Sequence, residues 1–325
     1  MSSLTSPSTA AQSPREGWSY LDPHALMRIK SLELRAKTVV EGFYSGIHRS
    51  PFHGFSVEFS EYRQYSPGDD LRYLDWRLFA RTDRYYIKRF EDETNVLCHL
   101  LVDQSRSMGF GQGELTKWQY AQTMAATIAY FLTLQRDAVG LVTFDEQIVD
   151  ILPARHRTGH LRHVLAALAR EPGGQSTNLA QPLEQIVQTV RRRGLVVLIS
   201  DLLASAEVLA TQLGYLRSQG HDVLVFRVLD PAEIDFSFDT SSIFLDMETG
   251  ERLYIDPTTA RADYLRRFGD HARQLAEACN RWGVELAVCP TDRPLELSLF
   301  DLLKSRQLLG QRGVQRAAGR SGRGR

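Results

Sequence analysis

An aspartate and two serines stand at alternate positions where an apolar segment ends, in "LLVDQSRSMGF", residues 100–110. Asp103, Ser105 and Ser107 offer one carboxylate and two hydroxyl groups to a small volume. Such oxygens either cap the start of a helix or hold a hard cation such as Mg²⁺. The segment alone leaves both interpretations open.

Two further polar residues occur where they could join the first three. Thr177 lies in the Gly-rich segment "GGQSTNL" just before a predicted helix, and Asp201 follows the apolar run "GLVVLIS". Each of them alone could also be a helix cap. Because ligands of a parallel α/β sheet gather at the carboxyl ends of its strands, these residues could meet at one edge. The order of the motifs favours a Mg²⁺ or Mn²⁺ site formed by Asp103, Ser105, Ser107, Thr177 and Asp201.

Strand and helix patterns alternate from residue 96 onward. Short apolar runs predict strands at 96–102, 138–144, 147–153, 194–200, 222–229 and 284–290. Helical spacing predicts helices at 117–136, 158–170, 178–193, 206–220 and 258–283, and the segment 295–306 closes the series. A hairpin turning at "ETGE" is expected within 235–256. This alternation predicts a mostly parallel sheet with helices on both faces and 147–153 as one antiparallel edge strand.

The segment before residue 96 has a different composition. A helical stretch at 24–40 is followed by glycine, proline, aromatic residues and closely spaced charges of both signs up to residue 95. One interpretation is a solvated surface whose charges neutralise one another. The other is a packed extension with arginine–carboxylate and arginine–aromatic contacts, which the number of large rings supports.

The series of motifs over about 96–304 resembles the von Willebrand factor A domain and its metal-ion-dependent adhesion site. The resemblance implies an α/β, Rossmann-type fold with a mostly parallel sheet and one antiparallel edge strand. It also implies that Asp103, Ser105, Ser107 and Thr177 hold the metal ion, with Asp201 bonding it directly or through water. All five positions carry the residue types that the resemblance requires.

The segment 59–94 is similar to the signature of a bacterial family known as domain of unknown function 58. Leu74 stands where the signature has isoleucine. The matching residues are Ser66, Pro67, Gly68, Asp69, Asp70, Arg72, Asp75, Trp76, Ala80, Arg81, Lys88, Phe90, Glu91 and Glu93. Members of that family are commonly associated with MoxR-type AAA+ ATPases, and the pair is thought to act in chaperone-like maturation or assembly. The resemblance therefore implies a MoxR-type ATPase, a client protein, or both as partners. Many relatives carry membrane helices before this region, and no such helix is expected here.

Four segments follow from these patterns. Residues 1–20 are expected to be a disordered leader, 21–95 a family-specific N-terminal extension, 96–304 the von Willebrand factor A-like domain, and 305–325 a basic disordered tail. The 39 basic residues balance 39 acidic ones, so no bulk charge favours nucleic acid. No apolar run approaches the roughly 20 residues of a membrane span. With three scattered cysteines, expected to be buried structural thiols, these features favour a cytoplasmic protein.

Two functional hypotheses share the same oxygen cluster. The first is a non-enzymatic binding module, in which an aspartate or glutamate of a partner completes the shell of Mg²⁺. The alternative is a metal-assisted phosphohydrolase or nuclease. Ser105 stands where aspartate-nucleophile phosphatases have their second aspartate, and no phosphate-binding loop of the GxxxxGK[ST] type is present, so we expect no enzymatic activity. A weaker third hypothesis makes the arginine-rich tail a nucleic-acid arm.

Overall fold

The computed structural model describes residues 20–49, 62–64, 79, 81, 84–88, 96–113, 115–171, 180–190, 192–238, 240–245 and 250–303. Thr177, most of the 59–94 segment, the leader up to residue 19 and the basic tail lie outside the described residues. By its contacts the chain divides into two units. One comprises Met1–Trp18 and Gly46–Asn95, and the other comprises Ser19–Ser45 and Val96–Arg325.

The larger unit contains most of the described helices and strands. Its helices are α1 (Pro23–Met27), α2 (Leu32–Arg49, which runs past the unit's boundary), α3 (Lys117–Leu134), α4 (His160–Leu168), α5 (Ala180–Thr189), α6 (Ala206–Ser218), α7 (Pro231–Asp235), α8 (Pro257–Trp282) and α9 (296–303). In the smaller unit, β1 (Tyr62–Gln64) and β2 (Tyr86–Lys88) form an antiparallel pair. The strands of the larger unit are β3 (Leu97–Asp103), β4 (Ala138–Phe144), β5 (Ile148–Arg155), β6 (Leu195–Ser200), β7 (Asp222–Leu229), β8 (Ser242–Leu245), β9 (Arg252–Ile255) and β10 (Glu285–Pro290).

Six strands form the central sheet, in the order β10–β7–β6–β3–β4–β5. All neighbours are parallel except β4 and β5, so β5 is an antiparallel edge strand. The interior strands β6 and β7 are apolar and buried almost throughout, as expected where helices cover both faces of a sheet. The predicted fold class, including the antiparallel edge strand, is confirmed.

Helices cover the sheet on two sides. On one side, α5, α6 and α8 supply Leu183, Leu209 and Leu275 to a buried cluster with Leu198 and Val225 of the sheet. Helix α3 contacts β3, β4, β6 and β7 but contributes no residue to that cluster, so it packs on the opposite side. The register pairs Val102 of β3 with Ile199 of β6, which brings the carboxyl ends of both strands to the same edge.

The helix before the sheet differs from the prediction. The single helix expected at 24–40 is two helices, because Ser31 starts a new one by accepting the backbone N–H of Leu34 at 3.3 Å. The contacts of residues 19–45 assign them to the larger unit. Phe43 explains this assignment, because its ring packs edge-to-face on Phe131 of α3 and Phe300 of α9.

Two further local predictions agree with the structure. The pair β8–β9 is an antiparallel hairpin, as the sequence around "ETGE" predicts. Cys98, Cys279 and Cys289 are free and buried. Burial raises the pKa of the Cys289 thiol to about 11, which keeps it in the unreactive protonated form.

Candidate metal-binding site

Asp103 is the last residue of β3 and is fully buried. Its Oδ1 accepts the backbone N–H of Ser105 at 2.8 Å, and its Oδ2 accepts the hydroxyl of Ser200 at 2.5 Å. Ser200 is the last residue of the neighbouring strand β6 and also receives the backbone N–H of Leu202 at 3.0 Å. The carboxylate is thus held by neutral donors from two adjacent strand ends.

The two serines of the motif are brought together by a short 3₁₀ helix, Arg106–Gly109. Their hydroxyl oxygens, Ser105 Oγ and Ser107 Oγ, lie 3.1 Å apart. Neighbouring oxygens of an octahedral Mg²⁺ shell, with bonds of about 2.1 Å, are about 3.0 Å apart. The spacing of the two hydroxyls therefore suits adjacent positions around such an ion.

The pKa of Asp103 is raised to about 7. Burial is the largest cause, followed by the negative charge of Asp201, while the hydrogen bonds from Ser200 and Ser105 act in the opposite direction. Hydrogen bonds alone therefore leave this carboxylate under-stabilised. A cation bound here would supply the missing charge.

Asp201 follows the neighbouring strand β6 and is also fully buried. Its Oδ2 accepts a hydrogen bond from Lys117 Nζ at 2.8 Å, and the same ammonium donates to Glu233 Oε1 at 2.6 Å. Burial lowers the pKa of Lys117, but the two carboxylates outweigh that effect and the net pKa lies above its ordinary value. Lys117 is therefore a charged group with no exposed side-chain surface.

Arg227 of β7 also contacts Asp201. Its Nε donates to the backbone oxygen of Asp201 at 3.2 Å, and its guanidinium lies 5.0 Å from the ring centre of Phe268. Burial lowers the pKa of Arg227, and the charges of Asp201 and Glu233 oppose that effect. This second cation contributes to the charge balance around Asp201.

The donor set fits a hard divalent cation by chemistry and by charge. Four carboxylates, Asp103, Asp201, Asp230 and Glu233, occupy this edge with two cations, Lys117 and Arg227. Within the described ranges, Asp201 and Glu233 share the ammonium of Lys117, whereas the Asp103 carboxylate is hydrogen-bonded by neutral donors. Among the described residues no three Asp, Glu, His or Cys side chains converge as in an all-carboxylate site. Asp103, Ser105 and Ser107 would hold the ion, and water or a partner would complete the shell.

The structure brings together three of the five predicted site residues, Asp103, Ser105 and Ser107. Asp201 arrives at the same edge, but its side chain is bound to Lys117. Thr177 lies outside the described residues. Ser107 is 6% exposed whereas Asp103 and Ser105 have no exposed surface, so among these three Ser107 marks the side from which solvent reaches the cluster.

The sequence analysis missed Ser200, Lys117, Glu233 and Arg227. Ser200 directly precedes Asp201 in "LISDLL", and a strand-end serine beside a metal aspartate was a usable signal. Lys117 offered a weaker one, because it begins a helix whose following residues are mainly apolar. Its pairing with residues 84 and 116 positions away has no local signature.

The chain belongs to the family described as protein of unknown function DUF58, whose match covers residues 61–274. Among curated proteins it is 28% identical over 291 residues to an uncharacterized protein of Mycobacterium tuberculosis, a match that covers 88% of this chain and 91% of that protein. An uncharacterized protein of Mycobacterium bovis matches with the same identity and coverage.

Among solved structures, the conserved hypothetical protein BatB of Bacteroides thetaiotaomicron is similar with a TM-score of 0.45 and 12% identity. That match covers 65% of this chain and 99% of the other. The SpRpn10 VWA domain is similar with a TM-score of 0.37 and 13% identity, covering 61% of this chain and 90% of the domain. Since both scores lie below 0.5, the fold is assigned from the strand order and registers described above. None of the described helices has the length and apolarity required to cross a bilayer.

Proposed function

We propose that this chain is a non-enzymatic, Mg²⁺-dependent protein-binding module. The observation that carries the proposal is the cluster of Asp103, Ser105 and Ser107 at the carboxyl edge of the parallel sheet. One carboxylate and two hydroxyls leave a divalent cation with net positive charge and open positions. An aspartate or glutamate of a partner would occupy such a position and make binding depend on the metal.

The partner class in this proposal rests on the resemblance of the 59–94 segment to its family signature. We propose that the module acts in the cytoplasm with a MoxR-type AAA+ ATPase in chaperone-like maturation or assembly of client proteins. Either the ATPase or its client would present the acidic residue. The absence of an acidic residue at position 105 supports binding over phosphoryl transfer, because the second carboxylate of that chemistry is replaced by Ser105.

The test is capture of a MoxR-type ATPase from the same organism on the immobilised full chain, in Mg²⁺ and in EDTA. Because the ATPase itself needs Mg²⁺ to hold nucleotide, chelation alone is ambiguous. The decisive variant is Asp103→Asn, which keeps the shape of the side chain but removes its charge. We expect it to abolish Mg²⁺-dependent capture.

Asp263→Asn is the matched control, since Asp263 is a surface carboxylate of α8 paired only with nearby arginines. It should capture as well as the unmodified chain. Equal capture by Asp103→Asn and Asp263→Asn would contradict the proposal. Mg²⁺-dependent release of phosphate from generic phosphoesters, lost in Asp103→Asn, would favour the hydrolase alternative.

A further inference from the structure

Lys117 lies beside the candidate metal site without being one of its predicted ligands. It is the first residue of α3, and its ammonium has no exposed surface. Within the part of the chain that the structure describes, its hydrogen bonds go to two carboxylates, Asp201 and Glu233. A buried cation is retained only where paired charges offset its desolvation, so its position is strongly determined by these partners.

The structure also uses both oxygens of Asp201. Oδ2 is bound to Lys117, and Oδ1 accepts the backbone N–H of Leu203 at 3.4 Å. Asp103 is different, because its two oxygens are held by neutral donors alone. Asp201, the charged group that raises the pKa of Asp103, is therefore itself paired with an ammonium group.

Lys117 is held from two directions. At its own end, Thr116 caps α3 and Gln119 completes the capping box. On the opposite side, Glu233 is fixed by a second capping box with Asp230 at the start of α7. Asp230 in turn accepts the backbone N–H of Gln112, from the loop that follows the serine motif, at 3.2 Å. These contacts define the position of the ammonium relative to the metal edge.

We infer that Lys117 is a positioning residue that keeps Asp201 out of the inner shell of the bound cation. This inference rests on the proposed metal-dependent binding. A second directly bound carboxylate would tighten the metal but reduce its net positive charge, and with it the attraction for an external carboxylate. Lys117 thus exchanges metal affinity for the ability to capture an acidic partner.

The inference predicts opposite changes in two measurements, which a purely structural ion pair would not produce. In Lys117→Met, Asp201 is released and becomes available to the metal. The affinity for Mn²⁺ should rise by about 10- to 100-fold. It is measured from the electron paramagnetic resonance signal of the free ion. The Mn²⁺-loaded chain should bind acetate more weakly. The relaxation of water protons measures this binding.

Two further variants separate geometry from simple charge. Glu233→Gln removes one negative charge but leaves the bond between Lys117 and Asp201, so its Mn²⁺ affinity should not rise. Asp201→Asn should cancel the gain of Lys117→Met when the two are combined, because no carboxylate is then released.

A third variant is used if Lys117→Met folds poorly, which circular dichroism detects. The double variant Lys117→Met with Glu233→Gln keeps the net charge of the unmodified chain. It should show the same gain in Mn²⁺ affinity.

The outcomes distinguish this inference from the proposal on which it rests. If the unmodified chain binds no Mn²⁺ and Asp103→Ala behaves identically, the metal-dependent function is wrong and the inference with it. If the unmodified chain binds Mn²⁺ but a folded Lys117→Met variant gains no affinity, only the role of Lys117 is wrong. A gain that persists with Asp201→Asn would also overturn that role, because it would reflect the general field alone.

Discussion

Asp103 and Asp201 lie at the carboxyl ends of the neighbouring parallel strands β3 and β6, yet their surroundings differ. Both are fully buried. Asp201 has a buried ammonium at 2.8 Å, whereas Asp103 has a backbone N–H and two serine hydroxyls nearby. The first environment compensates a charge within the protein. The second offers neutral hydrogen-bond donors to the carboxylate.

One edge of the sheet thus combines an internal ion-pair network around Asp201 with a carboxylate, Asp103, that is held by neutral donors. Lys117 joins three elements of the larger unit, since Asp201 follows β6, Glu233 belongs to α7 and the lysine itself begins α3. The loop that carries Ser105 and Ser107 is tied to the same assembly through Gln112 and Asp230. The internal ion pair therefore fixes the frame in which the hydroxyls meet.

Removal of the Lys117 ammonium should have the largest effect on stability. In EDTA, Lys117→Met should lower the free energy of unfolding by about 3–5 kcal/mol, because the buried carboxylate of Asp201 and the partly buried one of Glu233 lose their counterion. Lys37→Met is the control, since Lys37 pairs with Glu41 on the surface and should cost no more than about 0.5 kcal/mol. Urea unfolding measures both values, and equal losses would show that the buried pair contributes no more than the surface pair.

Addition of Mg²⁺ should have the second largest effect on stability. Mg²⁺ at 100 times its dissociation constant should raise the free energy of unfolding by about 2.7 kcal/mol, because the ion binds only the folded chain. Asp103→Ala should remove this stabilisation, and Asp263→Asn should retain it. The measurement is urea unfolding with and without Mg²⁺. Equal stabilisation of the Asp103→Ala chain would place the ion elsewhere.

The smallest expected effect compares the two aspartates directly in EDTA. Asp201→Asn leaves Lys117 with one carboxylate instead of two and should cost about 1–3 kcal/mol. Asp103→Asn should cost under about 1 kcal/mol, since an amide can both accept from Ser105 and donate to Ser200. Thermal unfolding ranks the two variants. The reverse ranking would mean that Asp103, and not Asp201, carries the structural role.

Much of this arrangement could be predicted from local patterns. The apolar run ending at Asp103 predicts a buried strand with polar residues at its carboxyl end, and the structure has that strand at Leu97–Asp103. The alternation of strands and helices predicts the parallel sheet, because crossover connections require it. The helix predicted at 24–40 was less accurate, because a capping serine within it, Ser31, begins a second helix.

The amino-acid sequence alone was sufficient to predict which polar residues lie at the carboxyl ends of the strands. This was possible because side-chain alternation and strand length are encoded within a few neighbouring residues. Which of the two carboxylates is paired with a cation depends on contacts between residues far apart in the chain. Lys117 reaches Asp201 across 84 positions, and burial makes that single contact the difference between an aspartate paired with an ammonium group and one held by neutral donors.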